Sequence, residues 1–249
     1  MKSLVSAAIT AILLCAPAVA ANEGKAVDVV PQAVNTSGGA ERTLVVGADV
    51  SVGDRVTTGP EGRVQLLFDD QTKLVVGPGS ALTIEAYLLK GNTVDKFTVN
   101  ALAGTFRFIS GNSPKSAYSI KTPTASIAVR GTRFDLAVTR NFTQAMLYEG
   151  ALSLCQGSTC IELAKRCDIG ALGASQPGLL GWDSDQRSGM VRNFPFARLQ
   201  SILQPAFRVS GAHACTEPPP VQSLDSLVEA PQNETPYTYE YQYDYTNDD

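Results

Sequence analysis

The chain has 249 residues, with 20 Lys and Arg against 24 Asp and Glu, a formal charge of −4 and one histidine. Hydrophobic residues make up 44% and charged residues 18%, below the roughly 25% of an average soluble domain, so a real core is expected and wholesale disorder is excluded. The charge balance excludes a basic nucleic-acid binder, and His213 as the lone histidine excludes a multi-histidine zinc site and leaves a catalytic triad one candidate base.

Residues 1–21 read as a secretory signal peptide. Lys2 gives the positive start, Leu4 to Cys15 a short apolar run, and Ala18-Val19-Ala20 a small-residue signal for cleavage after Ala20 or Ala21. The run is shorter than the ~20 residues of a spanning helix. A lipoprotein reading of Cys15 is disfavoured by Leu14, where a small residue is expected. No later run approaches spanning length, so the mature chain is expected to lack a transmembrane segment and to be periplasmic or secreted. Cleavage removes Lys2, leaving 19 bases against 24 acids, and leaves four cysteines of five.

Residues 22–43 form a lead-in, and residues 44–154 a run of short strands. The segments 64–68, 73–76, 81–84, 97–99, 105–108, 126–129, 134–138 and 146–148 are each apolar or alternating. Gly59-Pro60, Gly77-Pro78-Gly79, Gly91-Asn92 and Gly111-Asn112 separate them as turn chemistry. The breaks fall too irregularly for a strict repeat. The expected fold is all-β: a rolled sheet or sandwich of short strands with some β-solenoid character, plus a small cysteine-bearing extension with one helix.

Residues 155–215 are that extension, Gly-rich and loop-like in its first part. Cys155, Cys160, Cys167 and Cys215 are an even set, which in an oxidising compartment reads as two disulfides. Three pairings are open; Cys155–Cys160 across a hairpin loop, with Cys167–Cys215, is favoured. A four-cysteine zinc site is disfavoured because no Cys-x-x-Cys pair occurs. Asn193 to Gln204 is the expected helix, capped by Asn193 with Pro195 in its first turn, and Phe196, Leu199, Ile202 and Leu203 on one face. Residues 216–249 hold eight acids and no Lys or Arg, and are expected to be a disordered tail. There Tyr237, Tyr239, Tyr241, Tyr243 and Tyr245 alternate with polar residues; as a strand they would present five rings on one face to a sugar or partner.

The stretch from Val50 to about Val138 resembles the FecR domain family through motifs in order. Val52-Gly53-Asp54-Arg55-Val56-Thr57-Thr58-Gly59 comes first, then Gly62-Arg63-Val64-Gln65-Leu66 and Asp69-Asp70-Gln71-Thr72-Lys73-Leu74. Val76-Gly77-Pro78-Gly79-Ser80, Leu82-Thr83-Ile84 and Gly104-Thr105-Phe106-Arg107-Phe108-Ile109-Ser110-Gly111 follow. Thr122-Pro123-Thr124-Ala125 and Val129-Arg130-Gly131-Thr132-Arg133-Phe134 close the match. The resemblance implies an envelope-facing β domain of Gram-negative bacteria. Its named members relay iron–siderophore occupancy from an outer-membrane transporter to a cytoplasmic sigma factor, through an inner-membrane helix. This sequence shows neither that helix nor a cytoplasmic segment, so a stand-alone exported member is expected. Asp70-Gln71-Thr72 departs from the family's usual Asp-Gly-Ser or Asp-Gly-Thr, so Gln71 must avoid positive φ or accept strain.

Phe106 and Phe108 share a face and should be core, which points Arg107 outward unless a bulge intervenes. Arg130 and Arg133 can bind a carboxylate or an acidic glycan, or pair internally with Asp135 or Glu149. Asp69-Asp70 is the one pair that suggests calcium, and two neighbouring acids fall well short of its six to eight oxygens. A hydrolase would have to use His213, and no Gly-x-Ser-x-Gly elbow occurs. The expectation is an exported, non-enzymatic binding module without cofactor or metal, its partner an envelope protein or glycan, in sensing or envelope assembly. A structural or surface-assembly protein using the Tyr-rich tail is the alternative.

Overall fold

The computed structural model describes residues 23–218, apart from 91, 92, 177, 183 and 184. Residues 1–21, expected as a signal peptide, and the Tyr-rich segment lie outside the described residues. The chain opens with β1 (Gly24–Val30), β2 (Ala33–Ser37), β3 (Ala40–Thr43) and β4 (Asp49–Val50). Next come β5 (Arg55–Thr58), β6 (Arg63–Phe68), β7 (Lys73–Val76) and β8 (Ala81–Lys90). β9 (Thr93–Ile109), β10 (Tyr118–Lys121), β11 (Ser126–Val138) and β12 (Phe142–Gln156) carry the centre of the fold. β13 (Thr159–Leu163), β14 (Ile169–Gly173) and β15 (Gly178–Leu180) follow. All fifteen belong to one hydrogen-bonded sheet, antiparallel except where β10 runs parallel to β9.

The sheet rolls over on itself because its long strands bend. Phe97 and Phe108 lie eleven residues apart in β9, roughly 36 Å along a straight strand. Their ring centroids are nevertheless 6.0 Å apart. The bend falls at Gly104, whose φ is +107° and where a Cβ would come within 2.0 Å of the Ser80 hydroxyl oxygen. The first part of β9 pairs with β8 and β10, the second with β7 and β11. One layer therefore holds β8, β10 and the start of β9, and the other holds β6, β7 and its end. Their inner faces share one core, with Phe68 of β6 edge-on to Phe97 at 4.9 Å. Segments 97–99 and 105–108, expected as separate short strands, are thus one strand, as are 126–129 and 134–138 in β11. A glycine without Cβ bends a strand here instead of ending it.

The second layer is buried on both faces. Phe106 and Phe108, Leu74 and Val76, and Phe134 and Leu136 face the shared core. On the other side, Val75 packs with Phe196, Leu203 and Phe207, and Met146 and Tyr148 with Phe194, Val209 and the Cys167–Cys215 disulfide. The covering segment comprises α1 (Asp185–Val191), α2 (Pro195–Arg198) and short 3-10 turns up to Thr216.

This extension corrects the expectations in three ways. Its first part supplies β13 to β15, so it is not loop-like, and it has two helices, α1 being the unexpected one. Residues 193–204 form only α2 and a 3-10 turn at 200–202. Asn193 is no cap: its amide donates to Gln144 Oε1 at 2.7 Å, and Phe194 occupies the cap position. The helix stops at Leu199, whose backbone leaves the helical region with φ −89° and ψ 54°. Beyond it the Gln200 side-chain amide donates to the Phe196 carbonyl and accepts from Arg107 Nη1 at 3.0 Å and Val209 N at 2.9 Å. Phe196 and Leu203 are buried, whereas Leu199 and Ile202 are exposed, so the four do not share a buried face. The lead-in, for its part, supplies β1 to β3, with β1 hydrogen-bonded to β6 and β2 to β5.

Candidate functional site

The candidate site grows from a bulge between β11 and β12. Arg130 stands opposite Ala151 and Arg133 opposite Glu149, so Gly131 and Thr132 together face Gly150. Gly131 has φ +68° and Gly150 φ +82°, and a Cβ on Gly150 would sit 2.1 Å from the Gly131 carbonyl oxygen. Only glycine fits at 150. The aliphatic stem of Lys115, in the 3-10 turn 115–117, lies against Gly131, 3.0 Å from where its Cβ would be. Between this turn and the bulge opens a cleft of about 650 Å³.

Tyr118, Ala128, Val129 and Ala151 line the cleft, with Lys115 and Arg130 supplying its charge. Neither cation makes an ion pair with a described residue. Tyr118 only borders it: the residue is buried, its ring packed against Phe97 and Phe108 in the core, and its hydroxyl donates to Asp70 Oδ2 at 2.8 Å. Burial, with Asp70 beside it, raises the Tyr118 pKa and keeps the phenol neutral. A second cleft shares Ser116 and holds Lys96, Lys121, Glu85 and Asp95, of which Lys121 and Glu85 are paired at 2.7 Å. Two unpaired cations above apolar surface can hold a carboxylate or another anion with an apolar body.

Arg133 is not brought into this cleft. It pairs with Glu149 at 3.2 Å on the surface. Arg107, expected outside, is fully buried, and this is a correction. Its Nε and Nη2 donate to the two carboxylate oxygens of Asp135 at 2.7 and 2.9 Å, and Tyr148 donates to Asp135 Oδ2 at 2.7 Å. Burial lowers the Arg107 pKa, but the facing Asp135 carboxylate reverses this and leaves it above its ordinary value. Burial, then the Asp135 charge, pushes Tyr148 well above the usual phenol range. The group is a closed clamp between the sheet and the extension. Sequence reasoning missed it because the extension, not β9, covers that face; the hint was the apolar company of Val75, Ile109 and Met146.

Asp69 and Asp70 do not form a calcium site. Asp69 is exposed, and the buried Asp70 carboxylate accepts from Thr72 N at 3.1 Å and from Thr72 Oγ1, Ser113 Oγ and Tyr118 at 2.8 Å. No group of three or more His, Cys, Asp or Glu placed to hold a metal occurs among the described residues. Gln71 accepts the strained alternative, with φ +69°. His213 lies exposed 3.9 Å from Glu217. Disulfides join Cys155 to Cys160 and Cys167 to Cys215.

Residues 54–153, from the start of β5 to near the end of β12, match the family model described as FecR protein. Lys115, Arg130, Gly131 and Gly150 fall within that stretch; the clamping extension does not. A comparison with curated proteins gives no match. Among solved structures, two of a putative anti-sigma factor from Parabacteroides distasonis are similar at 13% identity. Their TM-scores are 0.42 and 0.43, and the similarity covers 55% of this chain and 63% and 62% of theirs.

Proposed function

We propose that this is an exported, non-enzymatic binding module of the Gram-negative cell envelope, which holds an anionic envelope partner at the Lys115–Arg130 cleft. Its role is in sensing or envelope assembly. The observation that carries the reading is the pair of unpartnered cations over an apolar floor, presented by a bulge that needs glycine at 150. Two other arginines of the domain are paired, Arg107 with Asp135 in the interior and Arg133 with Glu149 at the surface. The covered outer face of the second layer leaves the cleft side as the accessible one. Two disulfides favour an oxidising compartment and therefore export.

The test is affinity capture from an envelope extract at low and high salt, with the mature chain and its Lys115→Glu/Arg130→Glu variant. The expected result is a species retained by wild type at low salt, lost at high salt and lost with the variant. Identical capture by both proteins would count against the cleft.

A further inference from the structure

We infer a second binding site, for a pyranose sugar, in the cleft between the edge strands β13 and β15, with Trp182 as its stacking platform. Trp182 is the sole tryptophan of the chain, and 36% of its surface is exposed, as is 52% of Leu179 beside it in β15. Both line a cleft of about 430 Å³, within the size of small-molecule sites. β13 pairs only with β12 and β15 only with β14, so both border the cleft as free edges among the described strands.

The indole is held in place before any ligand arrives. The Arg187 guanidinium carbon lies 3.8 Å from the ring centroid, a close cation–π contact. Arg187 is itself buried, and its Nη2 donates to the Cys167 carbonyl at 2.7 Å and the Cys215 carbonyl at 3.4 Å. Through those bonds the platform is tied to both ends of the Cys167–Cys215 disulfide. An aromatic surface fixed in advance loses little freedom on binding, which favours affinity.

Charges of both signs complete the walls, Glu162 and Asp168 against Lys165 and Arg166, with Ala164 and Leu180 between them. Asp168 uses Oδ2 to accept from the amides of Ala164 and Lys165 at 3.0 and 2.8 Å, which leaves Oδ1 without a partner among the described residues. Lys165 makes no ion pair with a described residue. A fixed aromatic surface ringed by donors and acceptors of mixed charge matches a pyranose, which has an apolar C–H face and a rim of hydroxyls. A fully apolar ligand would leave the polar walls unpaired, and a strongly charged one would meet its own sign on one side. The site lies outside residues 54–153 and is independent of the Lys115–Arg130 cleft.

The sole tryptophan makes its own reporter. Trp182 emission of the intact chain is to be titrated with soluble β-1,4 oligomers of N-acetylglucosamine and, separately, of glucose. A saturable change with at least one of them is expected. Calorimetry should then show binding weakened about tenfold or more in Trp182→Ala and reduced in Leu179→Ala, a change at an exposed side chain that spares the fold. The Lys115→Glu/Arg130→Glu protein should bind the sugar like wild type. No saturable change with either oligomer, or equal affinity in wild type and both single variants, overturns the site.

Discussion

Arg107 and Asp135 are two opposite charges taken wholly out of water and matched through two hydrogen bonds, with Tyr148 and Gln200 completing the set. Losing one member leaves the other buried and uncompensated. Arg107→Met is therefore expected to lower stability by about 3–5 kcal/mol, whereas Arg107→Met/Asp135→Leu should recover most of the loss. Chemical denaturation of the three proteins measures this; a single variant within 1 kcal/mol of wild type would contradict the clamp. Backbone strain gives the second residue-scale expectation. Gln71→Gly relieves the φ of +69° and should stabilise by up to about 1 kcal/mol. Gly131→Val places a β-branched residue at φ +68°, at a cost of about 1–3 kcal/mol. Melting temperatures should move in opposite directions for the two variants, and shifts of the same sign would refute the assignment.

At the scale of elements, the all-β fold was legible because alternating apolar segments are a local property. The pairing of the cysteines was favoured among three open ones, through the hairpin-like spacing of Cys155 and Cys160, and the sequence alone did not decide it. The continuity of β9 and β11 was not legible, since a glycine at a bulge and a glycine in a turn read alike in sequence; only pairing partners on both sides of Gly104 and Gly131 tell them apart. The candidate cleft was half visible. Arg130 stood out beside Gly131, but Lys115 arrives through a 3-10 turn that carries no motif. The helix at 193–204 failed for the converse reason: its local signals were sound, but the backbone turns out of the helix at Leu199, where the tertiary packing that buries Phe196 and Leu203 takes over. The disulfides differ in what they hold. Cys167–Cys215 spans 48 residues and closes the extension over the sheet, while Cys155–Cys160 spans five within one hairpin. Chain entropy gives about 4 against about 2 kcal/mol, so Cys167→Ala/Cys215→Ala should cost the more. It should also expose the segment 185–216 to protease before the sheet is cut. Equal losses from the two double variants would contradict this division.

The whole molecule divides its charge as it divides its surfaces. Residues 22–215 hold 19 bases and 16 acids, while eight of the chain's 24 acids fall within 216–249. The slightly basic body seals one face of its second layer with the extension and turns two unpaired cations outward on another. Among the described residues no helix is long and apolar enough to cross a membrane. The proposed function then depends on whether the Lys115–Arg130 cleft is occupied in the cell. The most direct measurement is in-cell photo-crosslinking with benzoylphenylalanine at Ala128, an exposed position lining the cleft, and at Glu61, an exposed turn residue outside it. A discrete adduct from position 128, missing from position 61 and lost when Lys115→Glu/Arg130→Glu is added, is the result expected. No adduct at 128, or one indifferent to the charge reversal, would contradict the account.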